Sequence, residues 1–394
     1  MHILIIEAAL TGHHSGYLER IAAAYMDAGH SVSVTVLQGN AKHLAIERLK
    51  STYGAAFNVV PLNDAKYQAA LHSSMGEPGR ELALRRMFGK AYSVVHQSNP
   101  VDYVFIPYLD YCLYALGLLG SPFGSAQWGG ICMRPSFHYS QFGVIAPKPK
   151  LAKVKHTLFL RLFRSKTLKA VYTIDELLHR FVAEQHPQWV HRLQYVPDPA
   201  ELNGSHTYKS ARQELGIPDE AVVVLVYGAI DERKGLDVLV EALRNPDVSK
   251  TLYLLVVGKQ ASAIQPLMTS PQFSNLSENK RCHVINSYVD EVVQQMVFTA
   301  SDVVWLGYRN HYSMSGVLVM AAVAGKAVIA SQDGLIGWYT RKQGLGISID
   351  TRNLCQVAGA LNAIASGTVR PKTSRQMLGR HSWTQFIAAV LKAR

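Results

Sequence analysis

Short apolar runs rich in β-branched residues recur along this chain, and helical patterns separate most of them. That alternation narrows the fold more than any other feature, because strand–helix–strand units build sheets with helices packed on their faces. Residues 2–6 (HILII) form the first run. A loop through Thr11, Gly12, His13, His14, Ser15 and Gly16 follows, then a helical pattern over 17–28 that Gly29 stops. Strands are expected next at 31–37, 57–62, 101–107, 130–134, 170–174 and 193–196, with a long helical stretch at 80–97. Pro197-Asp198-Pro199 is a stiff, non-helical joint. A second series then begins with a strand at 222–227 and a helix at 236–244. Strands at 252–257 and 282–285, a helix at 290–300, a strand at 302–306 and a helix at 317–324 continue it. Strands at 327–330 and 346–349 and a helix at 354–365 complete it. The expected fold class is α/β: two doubly wound Rossmann-like domains facing across a cleft, with ligands at the carboxyl ends of the strands. Length agrees, since 394 residues exceed one ordinary core.

Composition removes several classes. Hydrophobic residues make up 48% and charged residues 17%, a globular balance without a disordered tract. The four cysteines, Cys112, Cys132, Cys282 and Cys355, form no CxxC pair. They argue against a zinc site and a disulfide framework, and they fit a reducing compartment. The first residues, MHILIIEAAL, lack a basic stretch before the apolar run and read as a strand, not a signal peptide. No apolar run reaches about 18 residues, so the expectation is a cytoplasmic protein, soluble or peripheral on the inner face of the membrane. The first loop lacks GxGxxG, which leaves a dinucleotide fingerprint unsupported. The net charge of +12 suits nucleic acid, anionic membrane or phosphorylated ligands.

The stretch 308–337 concentrates the chemistry. A strand, a polar turn ending in Ser315-Gly316 and a helix start at Val317 make an anion site. Unpaired N–H groups and the helix dipole favour negative charge there, and glycine permits close approach. The alternative is an ordinary turn with a serine cap. Upstream, YGAIDERKG follows the strand at 222–227 and carries Arg233 and Lys234 beside a glycine. Either cation could hold a diphosphate at the Ser315-Gly316 turn, or the loop could be a solvated charged surface.

These blocks carry a family resemblance. GAIDERKGLDVLVEAL, LYLLVVGK, the Tyr288-Val289-Asp290 segment, ASDVVWLGYRNHYSMSGVLVMAAVAGKAVIAS and HSWTQFIAAVL resemble the donor-binding half of GT-B-fold glycosyltransferases of the family 4 type. The resemblance covers about 220–394, and the first half is similar more loosely. It implies a nucleotide-sugar donor, transfer with retention, no obligatory metal or other cofactor, and an active site between domains. By the same resemblance Lys234 matches a phosphate-contacting lysine, and Ser315, Gly316 and Val317 match the turn at the diphosphate. Ser287, Tyr288 and Val289 match the strand end that holds the base. Gly16 matches the glycine of the acceptor-side loop, and His138 a histidine near the transferred sugar, although a histidine among aromatics is also an ordinary structural feature. The domain division expected is 1–197, 198–375 and a final segment 376–394 crossing back to the first domain.

Departures from the pattern are specific. The family has arginine where Ala229 stands, and Arg233 could substitute from another backbone position. Its paired glutamates would fall at Tyr312 and Met320, and methionine cannot accept a ribose hydroxyl. No DxD motif indicates a metal, and no carboxylate pair is needed if the departing phosphate takes the acceptor proton. Asp110 is a candidate acceptor-side carboxylate or a helix N-cap. Residues 148–169 carry eight Lys and Arg without an acid, interleaved with apolar residues at helical spacing. They could lie on an anionic membrane near a lipid-linked acceptor, or form an amphipathic helix packed on the sheet. Nucleic acid is not expected, for want of a binding motif. The expected function is transfer of a sugar to a glycan or lipid-linked acceptor in polysaccharide or cell-envelope glycan synthesis. A silent partner of an active transferase and an epimerase of the same fold are the rivals.

Overall fold

The computed structural model describes residues 1–10, 12–71, 76–201, 204–369 and 380–392. The chain forms two compact units. The first takes residues 1–138, 148–197 and the last helix from Thr384 onward, and the second takes 139–147 and 198–383. Residues 139–147, assigned by sequence to the first domain, are held in the second unit by two hydrogen bonds. Gly334 N–H donates to the Ile145 carbonyl at 2.7 Å, and Trp338 Nε1 donates to the Phe142 carbonyl at 3.0 Å. The last helix, Trp383–Lys392, docks on the first unit, with Tyr172 Oη donating to the Val390 carbonyl at 3.1 Å. The stretches 376–379 and 393–394 of the expected final segment lie outside the described residues.

The first unit is a seven-stranded sheet of β1 (His2–Ile6), β2 (Ser31–Leu37), β3 (Phe57–Leu62), β4 (Tyr103–Ile106), β5 (Gln127–Cys132), β6 (Leu168–Thr173) and β7 (Leu193–Tyr195). Its order is β3-β2-β1-β4-β5-β6-β7. The second holds β8 (Val222–Tyr227), β9 (Leu252–Val257), β10 (Cys282–Ile285), β11 (Val303–Leu306), β12 (Ala327–Ser331) and β13 (Gly346–Ile349), in the order β10-β9-β8-β11-β12-β13. All strand pairs are parallel. Every residue of β1, β9 and β11 is buried, which is why these strands read as continuous apolar runs: helices cover both faces. In the second unit, helix Leu236–Arg244 turns Leu236, Leu239, Val240 and Leu243 onto the sheet, the spacing of one helical face. Each such side chain contributes about 1.5–3 kcal/mol by leaving water.

Both sheets are doubly wound α/β sheets, as expected. Three local readings are corrected. The first helix begins at His13, so Gly16 lies in its opening turn and not in a loop; Thr11 is outside the described residues. Strand β5 starts at Gln127 because Gly129 and Gly130 fit against neighbouring strands: a Cβ at Gly129 would stand 2.7 Å from the Ala170 carbonyl oxygen. Helices Pro271–Glu278 and Gly334–Gln343, unread in the sequence, supply the crossovers that parallel neighbours require.

Candidate functional site

In the second sheet β8 lies between β9 and β11, and the chain winds outward from it in both directions. The carboxyl ends of β8 and β11 are thus the switch point where open α/β sheets bind ligands. The chain leaving β8 passes Gly228, at φ +99°, and reaches the short turn Glu232–Lys234. That turn is pinned to the chain leaving β11. Trp305 Nε1 donates to the Lys234 carbonyl at 2.8 Å, and Arg309 N–H donates to the Arg233 carbonyl at 2.8 Å. Gly235 closes it at φ +63°, where a Cβ would stand 2.4 Å from the Gly307 carbonyl oxygen. A side chain therefore fits neither the backbone angle nor the space.

Pinning turns Lys234 inward. It is 3% exposed, and its Nζ donates to the Tyr227 carbonyl and to Tyr308 Oη, both at 2.6 Å. An ammonium has three donors, so one remains for a ligand. Arg233 is 40% exposed, with Nη1 3.2 Å from His311 Nδ1 and Nε 3.7 Å from Asp231 Oδ1. This loop is not merely a solvated charged surface, since one cation is buried and the other is tethered.

Ser315 and Gly316 open the helix Gly316–Val323. Ser315 makes no capping hydrogen bond, so the serine-cap alternative is not what the turn does. The Leu318 and Val319 N–H groups turn back to the Ser315 carbonyl. Among the described residues the Gly316 and Val317 N–H groups have no chain acceptor, and Gly316 is exposed. A Cβ at Gly228 would stand 3.4 Å from Lys234 Nζ and 3.9 Å from Val317 Cγ2. The lysine ammonium and a methyl of Val317, in the first turn of the helix, therefore flank one point beside a glycine. Asp198 borders the same turn, its Oδ2 3.6 Å from where a Gly316 Cβ would be. Its carboxylate is an acceptor for hydroxyl groups, at a spot no local motif marks because it lies more than a hundred residues upstream.

The remaining expected residues separate from this centre in different ways. Ser287 and Tyr288 lie exposed after β10, at the carboxyl side of the same sheet, with Val289 partly buried. Ala229 is exposed and Met320 half-buried. In the first unit a Cβ on Gly16 would meet nothing within 4 Å. His138 is fully buried, its Nε2 2.9 Å from Asp175 Oδ2, with Phe137 and Phe181 beside it. Asp110 caps no helix. Its carboxylate accepts the Met133 and Arg134 N–H groups at 2.8 and 3.0 Å, clasping the loop after β5, and burial pushes it up from the usual carboxylate range. Glu7, at the end of β1, was not foreseen: fully buried, it accepts from Tyr111 Oη at 2.8 Å and faces His14 Nδ1 at 3.1 Å. The basic segment forms helix Ala152–Leu162, which buries Phe159 and Leu162 while Leu151 and Val154 stay exposed. Its Lys155 does meet an acid, Glu77, at 2.7 Å. Among the described residues no three His, Cys, Asp or Glu side chains gather as a metal would need, and no helix is long and apolar enough to cross a membrane.

Residues 221–366 match the family model described as glycosyl transferases group 1. No curated protein sequence matches the chain. Among solved structures, sucrose-phosphate synthase from Thermosynechococcus elongatus is similar at a TM-score of 0.69 and 16% identity, over 100% of this chain and 98% of that one. HepE of Anabaena, in complex with UDP and glucose, is similar at 0.62 and 15%, over 100% and 98%. WaaG, a glycosyltransferase involved in lipopolysaccharide biosynthesis, is similar at 0.56 and 14%, over 100% and 96%. The chain has the GT-B fold, and the match to the glycosyl transferases group 1 model lies within its second unit.

Proposed function

We propose that this protein is a retaining glycosyltransferase that moves a hexosyl group from a nucleotide-sugar donor to a glycan or lipid-linked acceptor, in polysaccharide or cell-envelope glycan synthesis. The observation that carries the reading is the point at Gly228, with the Lys234 ammonium on one side and Val317, second residue of the uncapped helix Gly316–Val323, on the other. A diphosphate suits such a point, because a buried ammonium and unpaired N–H groups stabilise negative charge together. Support also comes from the group 1 domain over these residues and from the HepE structures with UDP and UDP-glucose.

In the reaction the bond between the sugar C1 and the diphosphate oxygen breaks, and its electron pair stays on the diphosphate. Lys234, Arg233 and the Gly316 and Val317 N–H groups stabilise that growing charge. The acceptor hydroxyl oxygen bonds to C1 on the face the diphosphate leaves, and its proton passes to the departing phosphate. The exposed Ser287-Tyr288 strand end borders the base. No metal or other cofactor takes part in this scheme. Exposed Leu151 and Val154 beside the lysines of residues 148–169 suit a lipid-linked acceptor presented at an anionic membrane.

One rival keeps a specific observation: Ala229 and Met320 replace groups that the resembling family uses on the donor, as a silent partner would permit. A thermal-shift screen against UDP, GDP, ADP, CMP and their sugar conjugates decides between them. A ligand that binds only the folded state raises its apparent stability. One nucleotide that raises the melting temperature supports the transferase and fixes the base. No shift with any at millimolar ligand in a folded sample favours the silent partner.

A further inference from the structure

Two side chains on the chain leaving β11, Tyr308 and His311, organise the cations of the preceding proposal. Tyr308 is 3% exposed. Its Oη accepts from Lys234 Nζ at 2.6 Å, and its ring lies 4.3 Å from that ammonium and 5.5 Å from the Arg233 guanidinium. One aromatic ring thus collects two neighbouring like charges that would otherwise spread apart. His311 ties the second of them down. Arginine has only donors, so the 3.2 Å contact of Arg233 Nη1 with His311 Nδ1 makes Nδ1 the acceptor. The ring hydrogen then sits on Nε2, which donates to the Met314 carbonyl at 3.2 Å. Met314 immediately precedes Ser315, so the imidazole links the guanidinium to the turn that opens the helix. The His311 ring also meets the Tyr308 ring edge-on, with centroids 5.5 Å apart.

We propose that Tyr308 and His311 are positioning residues that hold Lys234 and Arg233 as one fixed two-cation receptor for a diphosphate. The inference rests on the proposed function and adds how the receptor keeps its geometry without an arginine at position 229. Preorganised cations bind a diphosphate without first giving up side-chain freedom, whereas a single phosphate gains less from a fixed pair. Neither residue needs to touch the ligand.

The test is isothermal titration of the full chain with UDP, GDP and ADP and with the matching monophosphates. It compares the wild type with Tyr308→Phe, His311→Ala and His311→Gln. The wild type is expected to bind one diphosphate. Tyr308→Phe and His311→Ala should each weaken that diphosphate about tenfold, while the monophosphate changes by less than about twofold. His311→Gln should recover most of the loss, because its amide oxygen accepts from Arg233 and its amide N–H donates to the Met314 carbonyl. Equal weakening of mono- and diphosphate, or no weakening in correctly folded Tyr308→Phe and His311→Ala, overturns the clamp and leaves the transferase reading standing. A wild type that binds none of the diphosphates overturns that reading and the clamp with it.

Discussion

Strands β8 and β11 lie side by side, and their two ends are built in opposite ways. At the amino end the polar groups close on one another. Arg212 is fully buried, and its guanidinium donates to the Ala300, Ala221 and Asp219 carbonyls at 2.8–3.1 Å and to Asp302 Oδ2 at 2.6 Å. Asp302 Oδ2 also accepts the Val223 N–H at 2.6 Å, and Tyr208 Oη donates to Oδ1 at 2.8 Å. At the carboxyl end a lysine, an arginine and a helix N-terminus converge, yet the cap is unmade and a glycine keeps the centre open. A saturated network fixes a scaffold, whereas the carboxyl end, with Asp231 and Asp198 beside its cations, leaves donors unsatisfied. The contrast separates site from scaffold better than charge alone, since both ends carry buried cations.

The largest expected effect belongs to the closed end. Arg212→Met leaves the Asp302 carboxylate without its charged partner and several carbonyls without donors. Arg212 is buried but Asp302 is partly exposed and keeps two other donors, so the loss should be about 3 kcal/mol, the low end for a buried pair. Denaturant unfolding should show a loss of that size. If the loss stays below about 1 kcal/mol, the amino end is no more tightly built than the carboxyl end.

The first unit offers a second closed network with a pH signature. Glu81 is buried and accepts the Tyr114 and Ala115 N–H groups, at the start of helix Leu113–Leu119, at 2.8 and 2.9 Å. Burial nonetheless pushes its carboxyl up from 4.5 to about 7, the two N–H groups opposing. The folded protein then keeps a proton that the unfolded chain has released. Stability from this group is full below about pH 4.5 and falls as pH rises through about 7. The whole change is about 3 kcal/mol. Glu81→Gln retains an acceptor oxygen and should flatten the decline in unfolding midpoint between pH 5 and 8. An identical decline in the variant assigns the slope to another group.

At the open end, Lys234→Ala should lower sugar transfer by about 10²-fold, by removing an electrostatic partner of the leaving diphosphate. Its unfolding midpoint should move less than that of Arg212→Met. Unchanged turnover removes Lys234 from the chemistry and leaves it a buried strut between Tyr227 and Tyr308.

The sequence made the sheets legible because strands buried on both faces stay apolar throughout, as in 222–227 and 252–257, where expectation and structure coincide. It also exposed Lys234 and the Ser315-Gly316 turn, since those sit in contiguous motifs. Helix Gly334–Gln343 is not legible because it opens GLIGW, with two glycines in its first turn. Tyr308, His311 and Asp198 carry no local signal: each matters through a partner brought near by the parallel winding. Asp110 shows the converse. Its place after a strand suggested a site, but both its oxygens serve backbone N–H groups of the next loop.

The smallest expected effect is also the most discriminating. Asn353 caps helix Leu354–Ala365 by accepting the Cys355 and Gln356 N–H groups, so Asn353→Ala should cost about 1 kcal/mol of stability. Ser315 stands at the same structural position of helix Gly316–Val323 and makes no such bond. Ser315→Ala should therefore change stability by less than about 0.5 kcal/mol. If the hydroxyl turns to a ligand instead, the variant should weaken nucleoside diphosphate binding several-fold in titration. A full capping loss in Ser315→Ala would mean that the serine closes its helix in solution as Asn353 does, and an unmade cap would no longer distinguish the two ends of β8 and β11.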